Sequence, residues 1–194
     1  MTIEQSIDYL RQYATDNNVP IVRHNTGLRL AAEVHKRKPK RILEIGTAIG
    51  YSALLMLQAY PSATITTIEK DDTRYNFAKD VLAGTNTECI HADAMQSLER
   101  ILELGEKYDF VFLDGPKGQY YKYLQLITRL LNTGGCIFAD NIGFFGMVQS
   151  GKYPHRHKTI VTSLTNYISE VTGDGWDTEV HYEVEDGYAI STKL

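Results

Sequence analysis

The stretch Arg41-Ile42-Leu43-Glu44-Ile45-Gly46-Thr47-Ala48-Ile49-Gly50-Tyr51-Ser52 decides how this chain is read. Its first five residues form a short, largely apolar run of strand length, and a helix-period stretch, Ser52–Ala59, begins where it ends. Between the two, Gly46 and Gly50 let the backbone turn sharply and approach a ligand closely. Such a turn alone fits a dinucleotide, another nucleotide or a plain tight bend.

Two carboxylates narrow the choice. Glu69 ends the next strand-like run, where it can accept hydrogen bonds from two ribose hydroxyls, a feature shared with NAD enzymes. Glu44 lies inside the first strand, where an ionisable group is costly unless paired. A cationic ligand would be a good partner, and S-adenosylmethionine carries both a sulfonium and an ammonium. A dinucleotide would bring a pyrophosphate that Glu44 repels.

Further along, short apolar or β-branched runs at Ala63–Ile68, Thr87–His91, Tyr108–Leu113 and Cys136–Ala139 alternate with helix-period stretches at Asp72–Leu82, Ala94–Leu104 and Gln119–Leu131. Strand then helix, repeated, predicts a mostly parallel sheet with helices on both faces. Gly134 and Gly135 read as a helix stop before the fifth strand. The tail departs from the pattern. His157–Val171 reads as a helix, followed by two strands, Asp177–Glu183 and Gly187–Thr192, around the turn signal Asp186-Gly187. The expectation is therefore a mixed α/β sheet with an antiparallel C-terminal hairpin. It forms a single domain over 1–194, preceded by a short helical extension through about residue 38. In that extension Ile3, Ile7 and Leu10 fit one helix face, as do Leu28, Ala31, Ala32 and His35. Ligands of such sheets bind beyond the carboxyl ends of the strands.

At those ends stand the oxygen-bearing residues. Asp114 closes the fourth strand and Asp140-Asn141 the fifth. Two carboxylates and an amide are hard ligands, suited to Mg²⁺ or Mn²⁺ rather than zinc. They could also be turn formers and caps. Asp93 precedes a helix and could equally serve as its N-cap.

The chain has 194 residues, 43% hydrophobic and 23% charged, with a formal net charge of -4. These values fit one globular core and exclude a strongly basic protein, though not a local basic patch. Cys89 and Cys136 lie in apolar runs and read as lone thiols. No membrane span or cleavable signal is apparent, and the cytoplasm is the default expectation.

The run Leu43–Ser52 resembles motif I of the class I methyltransferases, and more specifically the cation-dependent O-methyltransferase family of catechol and caffeoyl-CoA enzymes. The resemblance implies S-adenosylmethionine as cofactor and Mg²⁺ or Mn²⁺ as metal. It implies that Gly46, Thr47, Tyr51 and Ser52 hold the methionine portion, with Glu44 beneath them. Glu69 would bind the ribose, Asp93 and Ala94 would border the adenine, and Val22 would touch the cofactor from the N-terminal segment. Asp114, Asp140 and Asn141 would hold the metal, with Asp114 also near the cofactor. Lys117, three residues beyond Asp114, would act as general base. A cation that chelates two adjacent acceptor oxygens lowers the hydroxyl pKa and fixes its direction for in-line attack on the methyl carbon.

The stretches Val19-Pro20-Ile21, Pro39–Ala53, Lys117-Gly118-Gln119-Tyr120 and Asp186-Gly187-Tyr188-Ala189-Ile190-Ser191 look most like the bacterial tRNA 5-hydroxyuridine methyltransferase branch. That branch implies tRNA as substrate, 5-methoxyuridine as product and a homodimer as assembly. It is chemically consistent, because O5 and O4 of 5-hydroxyuridine are an adjacent oxygen pair. Departures are Gly115-Pro116 after Asp114, a short N-terminal extension, and the basic cluster Lys152, His155, Arg156, His157 and Lys158, where a more arginine-rich run is usual. Lys152, Arg156 and Lys158 could contact phosphates or simply be a solvated helix start. The alternatives are a small-molecule catechol or caffeoyl-CoA-type O-methyltransferase with a phenolic substrate, an NAD-dependent oxidoreductase, and a non-catalytic binding module. Glu44 and the glycine spacing argue against NAD. Retention of Asp114, Lys117, Asp140 and Asn141 together argues against a decayed enzyme.

Overall fold

The computed structural model describes residues 2–194. Its strands are β1 (Arg41–Ile45), β2 (Thr64–Glu69), β3 (Thr87–His91), β4 (Tyr108–Leu113), β5 (Leu131–Asp140), β6 (Trp176–His181) and β7 (Tyr188–Lys193). Its helices are α1 (Ile3–Asn17), α2 (His24–Arg37), α3 (Tyr51–Ala59), α4 (Asp72–Val81), α5 (Ala94–Glu103), α6 (Tyr120–Leu130), α7 (Met147–Ser150) and α8 (Lys158–Val171). The strands are ordered β3-β2-β1-β4-β5-β7-β6. The sheet is mostly parallel and ends in the expected antiparallel hairpin. The chain divides into two compact units, residues 1–97 and 98–194.

In the first unit β1, β2 and β3 pair in parallel, with Leu43 opposite Thr66 and Ile68 opposite Ile90. Ile42, Leu43, Ile45, Ile65 and Ile68 are buried. α1 and α2 pack on α3. α1 starts in a capping box, Thr2 accepting from the Gln5 amide and Gln5 from that of Thr2, which satisfies donors a helix otherwise leaves open. The expected inner face of α2 is corrected. Thr26, Gly27, Leu30 and Val34 are buried, whereas Leu28, Ala32 and His35 are exposed. The reason is an ionic one. Glu33 is only 2% exposed and is held by Arg29 at 3.1 Å and Arg37 at 3.0 Å on either side, so the helix turns a charged residue inward that an apolar template rejects.

In the second unit β4 is buried from Phe110 to Leu113, as expected for a strand covered on both faces. β5 pairs with it in parallel and with β7 antiparallel. Its start is also corrected. Gly134 and Gly135 do not stop a helix; α6 ends at Leu130 and the strand begins at once with Leu131. The pairing jumps from Tyr108↔Leu131 to Phe110↔Cys136. The extra residues form a bulge whose turn uses Gly134 at φ 77°, where glycine alone is unstrained. A Cβ on Gly135 would stand 2.8 Å from both the Asn132 carbonyl and the Leu131 side chain.

Candidate active site

The first unit builds a polar nest around the β1–α3 turn. Gly46 has φ 103°, Ala48 φ 47° and Gly50 φ 85°, so the loop depends on left-handed backbone that only its glycines adopt without cost. The Gly46 amide donates to the Ile68 carbonyl at 3.0 Å, which ties the loop to the end of β2. Glu69 completes the tie. Its Oε2 accepts the Ala48 amide at 2.9 Å, and its Oε1 accepts the amides of Lys70 and Asp71 at 3.0 Å each. A carboxylate has about four acceptor positions, so three backbone donors orient Glu69 and leave capacity for a ligand hydroxyl.

Glu44 is fully buried. Its Oε1 accepts the Ser52 hydroxyl at 2.5 Å and its Oε2 the Thr67 hydroxyl at 2.6 Å. Thr67 also meets the Thr47 hydroxyl at 2.6 Å. Hydroxyl donors lower the cost of a buried carboxylate, and this chain runs from Glu44 to the loop residue Thr47 and to the first turn of α3. Thr67 was not foreseen, since a threonine within a strand reads only as β-branched filling. Val22 is buried. Tyr51 is buried too, and its hydroxyl receives a long 3.5 Å contact from Arg11. Asp93 is the cap of α5, accepting the Met95 amide at 2.9 Å, so that reading is observed; it does not exclude a ligand contact.

The second unit brings the acidic strand ends together. Leu113 of β4 pairs with Ala139 of β5, so Asp114 and Asp140 follow side by side. Tyr120, fully buried, fastens both ends. Its hydroxyl proton is shared between the Leu113 carbonyl at 2.9 Å and the Asp140 carbonyl at 3.0 Å. Burial, and then the charges of Asp114 and Asp140, push its phenol well above the ordinary range, so it remains a neutral donor. The local sequence around Tyr120 does not announce this role, because its two acceptors end different strands.

Lys117 lies on the turn Lys117–Gln119 that leads into α6. Its Nζ donates to Asp114 Oδ1 at 2.5 Å, with the side chains 17% and 23% exposed respectively. It also lies 5.3 Å from the centre of the Tyr120 ring. Asp140 is 3% exposed, and its Oδ1 accepts the Asn141 amide at 2.6 Å. Burial, and next the negative charge of Asp114, raise its carboxyl to about 7, partly opposed by Lys117. Two neighbouring carboxylates, one of them buried and destabilised by the other, form a donor set that a hard divalent cation would neutralise. Among the described residues no three His, Cys, Asp or Glu side chains gather into a metal-binding group. The candidate set is two carboxylates and the amide of Asn141.

Lys152, His155, Arg156 and Lys158 are exposed, and Arg156 Nε donates to His157 Nε2 at 3.1 Å. Cys89 is half-buried, Cys136 is buried, and both are free thiols. Among the described residues no helix is long and apolar enough to cross a membrane.

The first unit carries a glycine turn over an acidic nest, and the second a pair of carboxylates at neighbouring strand ends. The O-methyltransferase family model matches residues 6–194. Tapetum-specific methyltransferase 1 of Arabidopsis thaliana is 36% identical over 164 residues, covering 80% of this chain and 70% of the relative. Caffeoyl-CoA O-methyltransferase of Stellaria longipes is 30% identical over 168 residues, covering 81% and 69%. A Staphylococcus aureus protein assigned to the caffeoyl-CoA O-methyltransferases superposes with a TM-score of 0.86 at 31% identity, covering 97% of this chain and 92% of that one. The chain belongs to this O-methyltransferase family, whose members are S-adenosylmethionine-dependent enzymes.

Proposed function

We propose that the chain transfers the methyl group of S-adenosylmethionine to one of two adjacent oxygens on an acceptor, with a divalent cation held by Asp114, Asp140 and Asn141. The observation that carries this reading is the β4–β5 end, where Leu113↔Ala139 pairing and the shared Tyr120 hydroxyl set the two carboxylates together beside Lys117. A Bacillus cereus O-methyltransferase of the same fold has been crystallised in complex with SAH, at a TM-score of 0.87 and 21% identity.

In this reading Glu69 binds the ribose, and Asp93 and Ala94 border the adenine. Gly46, Thr47, Tyr51, Ser52 and Val22 surround the methionine portion, and Glu44 supplies negative charge beneath it. When bound, the cation would acidify the acceptor hydroxyl and hold both oxygens. Lys117 Nζ takes the departing proton, and Asp114 aims the lysine. Tyr120 keeps the two strand ends in register. Orientation and charge neutralisation do most of the work, since methyl transfer needs an in-line approach and a nucleophilic oxygen.

The relatives named for caffeoyl-CoA favour a small phenolic acceptor. A second reading, 5-hydroxyuridine in tRNA, is favoured by one observation. The exposed basic run carries His157, whose ring meets Phe144 edge-on at 5.4 Å, three residues beyond Asn141. The test is to supply labelled cofactor and Mg²⁺ with caffeoyl-CoA, catechol or hydroxyuridine-bearing tRNA, with and without EDTA, and identify products by mass spectrometry. Methylated phenol, lost in EDTA, is expected. Label in tRNA alone would select the second reading, and full turnover in EDTA would remove the cation from the proposal.

A further inference from the structure

The loop that follows Asn141 is held in a conformation its sequence does not favour. Asn141 has φ 54°, Phe144 φ 43° and Phe145 φ 55°. Left-handed backbone is costly for phenylalanine, so something outside the loop must impose it. The turn between β6 and β7 does so. The Ile142 amide donates to the Gly187 carbonyl at 3.1 Å, and the Gly143 amide to the Asp186 carbonyl at 2.8 Å. The Phe145 amide then donates to Asp186 Oδ1 at 2.6 Å. The two segments touch so closely that a Cβ on Gly143 would stand 2.8 Å from the Asp186 carbonyl oxygen. The outcome is a phenylalanine, Phe145, left 72% exposed four residues beyond Asn141.

We infer that Asp186 is a positioning residue for the acceptor. Its carboxylate fixes the left-handed Phe145 backbone and so holds the Phe144-Phe145 pair as an apolar ledge beside the Asp140-Asn141 end of β5, where the planar, oxygen-bearing face of a substrate rests. The inference deepens the proposed function and rests on it. Main-chain bonds from Ile142 and Gly143 hold the loop root regardless of the residue at 186; the Asp186 side chain bonds the Phe145 amide itself. A charged acceptor bonded to a backbone N–H is strong and directional, which suits a residue that must keep one strained peptide in place.

Asp186→Ala, Asp186→Asn and the double variant Asp186→Ala/Phe145→Ala are compared with Phe145→Ala. Readouts are kcat and KM for acceptor, calorimetric binding of S-adenosylhomocysteine and Mn²⁺, and hydrogen exchange of the Phe145 amide. In Asp186→Ala the acceptor KM should rise about tenfold or more with kcat changed less than threefold, both calorimetric affinities should stay at wild type, and the Phe145 amide should lose protection. Asn, which retains an acceptor oxygen, should restore most of the KM. The double variant should be no worse than Phe145→Ala, because both changes remove one device. A wild-type KM in Asp186→Ala, or additive losses in the double variant, overturns the inference. If the wild-type protein methylates no vicinal-oxygen acceptor, the proposed function falls instead. The exchange readout then still decides whether Asp186 holds Phe145, and retained protection in Asp186→Ala refutes that.

Discussion

Tyr120→Phe deletes one oxygen and leaves the ring in place. That oxygen is the only atom of Tyr120 that reaches the Leu113 and Asp140 carbonyls, at 2.9 Å and 3.0 Å. The side chain is fully buried and packs edge-on against Tyr167, ring centres 5.8 Å apart, so water does not easily replace the lost donor and the apolar contacts survive. A hydroxyl proton shared between two buried carbonyls contributes about 1–3 kcal/mol once the cost of leaving acceptors without it is included. For a chain of this size that lowers the melting midpoint by roughly 3–9 °C.

The effect on turnover should exceed the effect on folding. The carbonyls that Tyr120 joins belong to the last residue of β4 and the last of β5, each at or beside a carboxylate of the proposed metal set. Loosening them by a fraction of an ångström misplaces both ligands and the acceptor, and misplaced reactants are penalised steeply. The expected result is a folded protein whose kcat/KM, measured well below its melting midpoint with saturating Mg²⁺, falls at least tenfold. Urea denaturation gives the stability change and methyl-transfer assays give the second number. A melting midpoint within 1 °C of wild type together with kcat/KM within twofold would refute the argument that this hydroxyl fastens the site.

Other perturbations test separate parts of the account. Glu69→Ala frees three backbone amides and removes the proposed ribose partner, and calorimetry should find S-adenosylmethionine binding weakened by about 1–3 kcal/mol; unchanged affinity would place the cofactor elsewhere. Gly143→Ala forces a Cβ to within 2.8 Å of the Asp186 carbonyl oxygen, and thermal melts should show a loss of about 1–3 kcal/mol from overpacking against backbone. Asp140→Asn addresses pH. Because Asp140 titrates at about 7 in the folded chain against 3.8 ordinarily, the folded state favours its proton; stability is fully present below the ordinary value and is lost as pH rises through about 7. In EDTA the ionised carboxylate should cost about 2–4 kcal/mol by pH 8, so Asp140→Asn should melt higher than wild type at pH 8, by clearly less at pH 5, and be inactive at both. Equal differences at the two pH values would disprove the buried-charge argument.

The pattern of strands and helices was legible because β1, β2 and β4 are apolar runs of strand length and the intervening helices carry regular apolar spacing. The polar strand ends were legible too, since Glu44, Glu69, Asp114 and Asp140 stand where an apolar run stops or is interrupted. What was not legible depended on charge pairing within a helix or on partners distant in the chain. The inner face of α2 follows from Glu33 being flanked by Arg29 and Arg37, a charge arrangement that overrides apolar periodicity. The β5 bulge follows from Leu131 pairing with Tyr108 ahead of two glycines, and a glycine pair before a strand reads equally as a helix stop. Thr67 and Asp186 carry hydrogen bonds that span 23 and 41 positions of sequence, with no local signature beyond a β-branched residue and a turn.

The buried carboxylates bear on function. Glu44 is satisfied by the Ser52 and Thr67 hydroxyls from α3 and β2, and Glu33 by Arg29 and Arg37 one turn away on its own helix. Asp140 differs from them. It accepts the adjacent Asn141 amide and, at longer range, feels the charge of Lys117, and its ionised form remains disfavoured. Burial and the charge of Asp114 leave the Asp140 carboxylate the one among these that the protein's own groups only partly compensate. The proposed cation would offset that charge, and an acceptor with two adjacent oxygens is the kind of substrate whose binding such a cation can share. If Asp140 both carries a disfavoured charge and helps hold the proposed cation, the pH-dependent melt and the EDTA-sensitive turnover should change together when Asp140 is replaced.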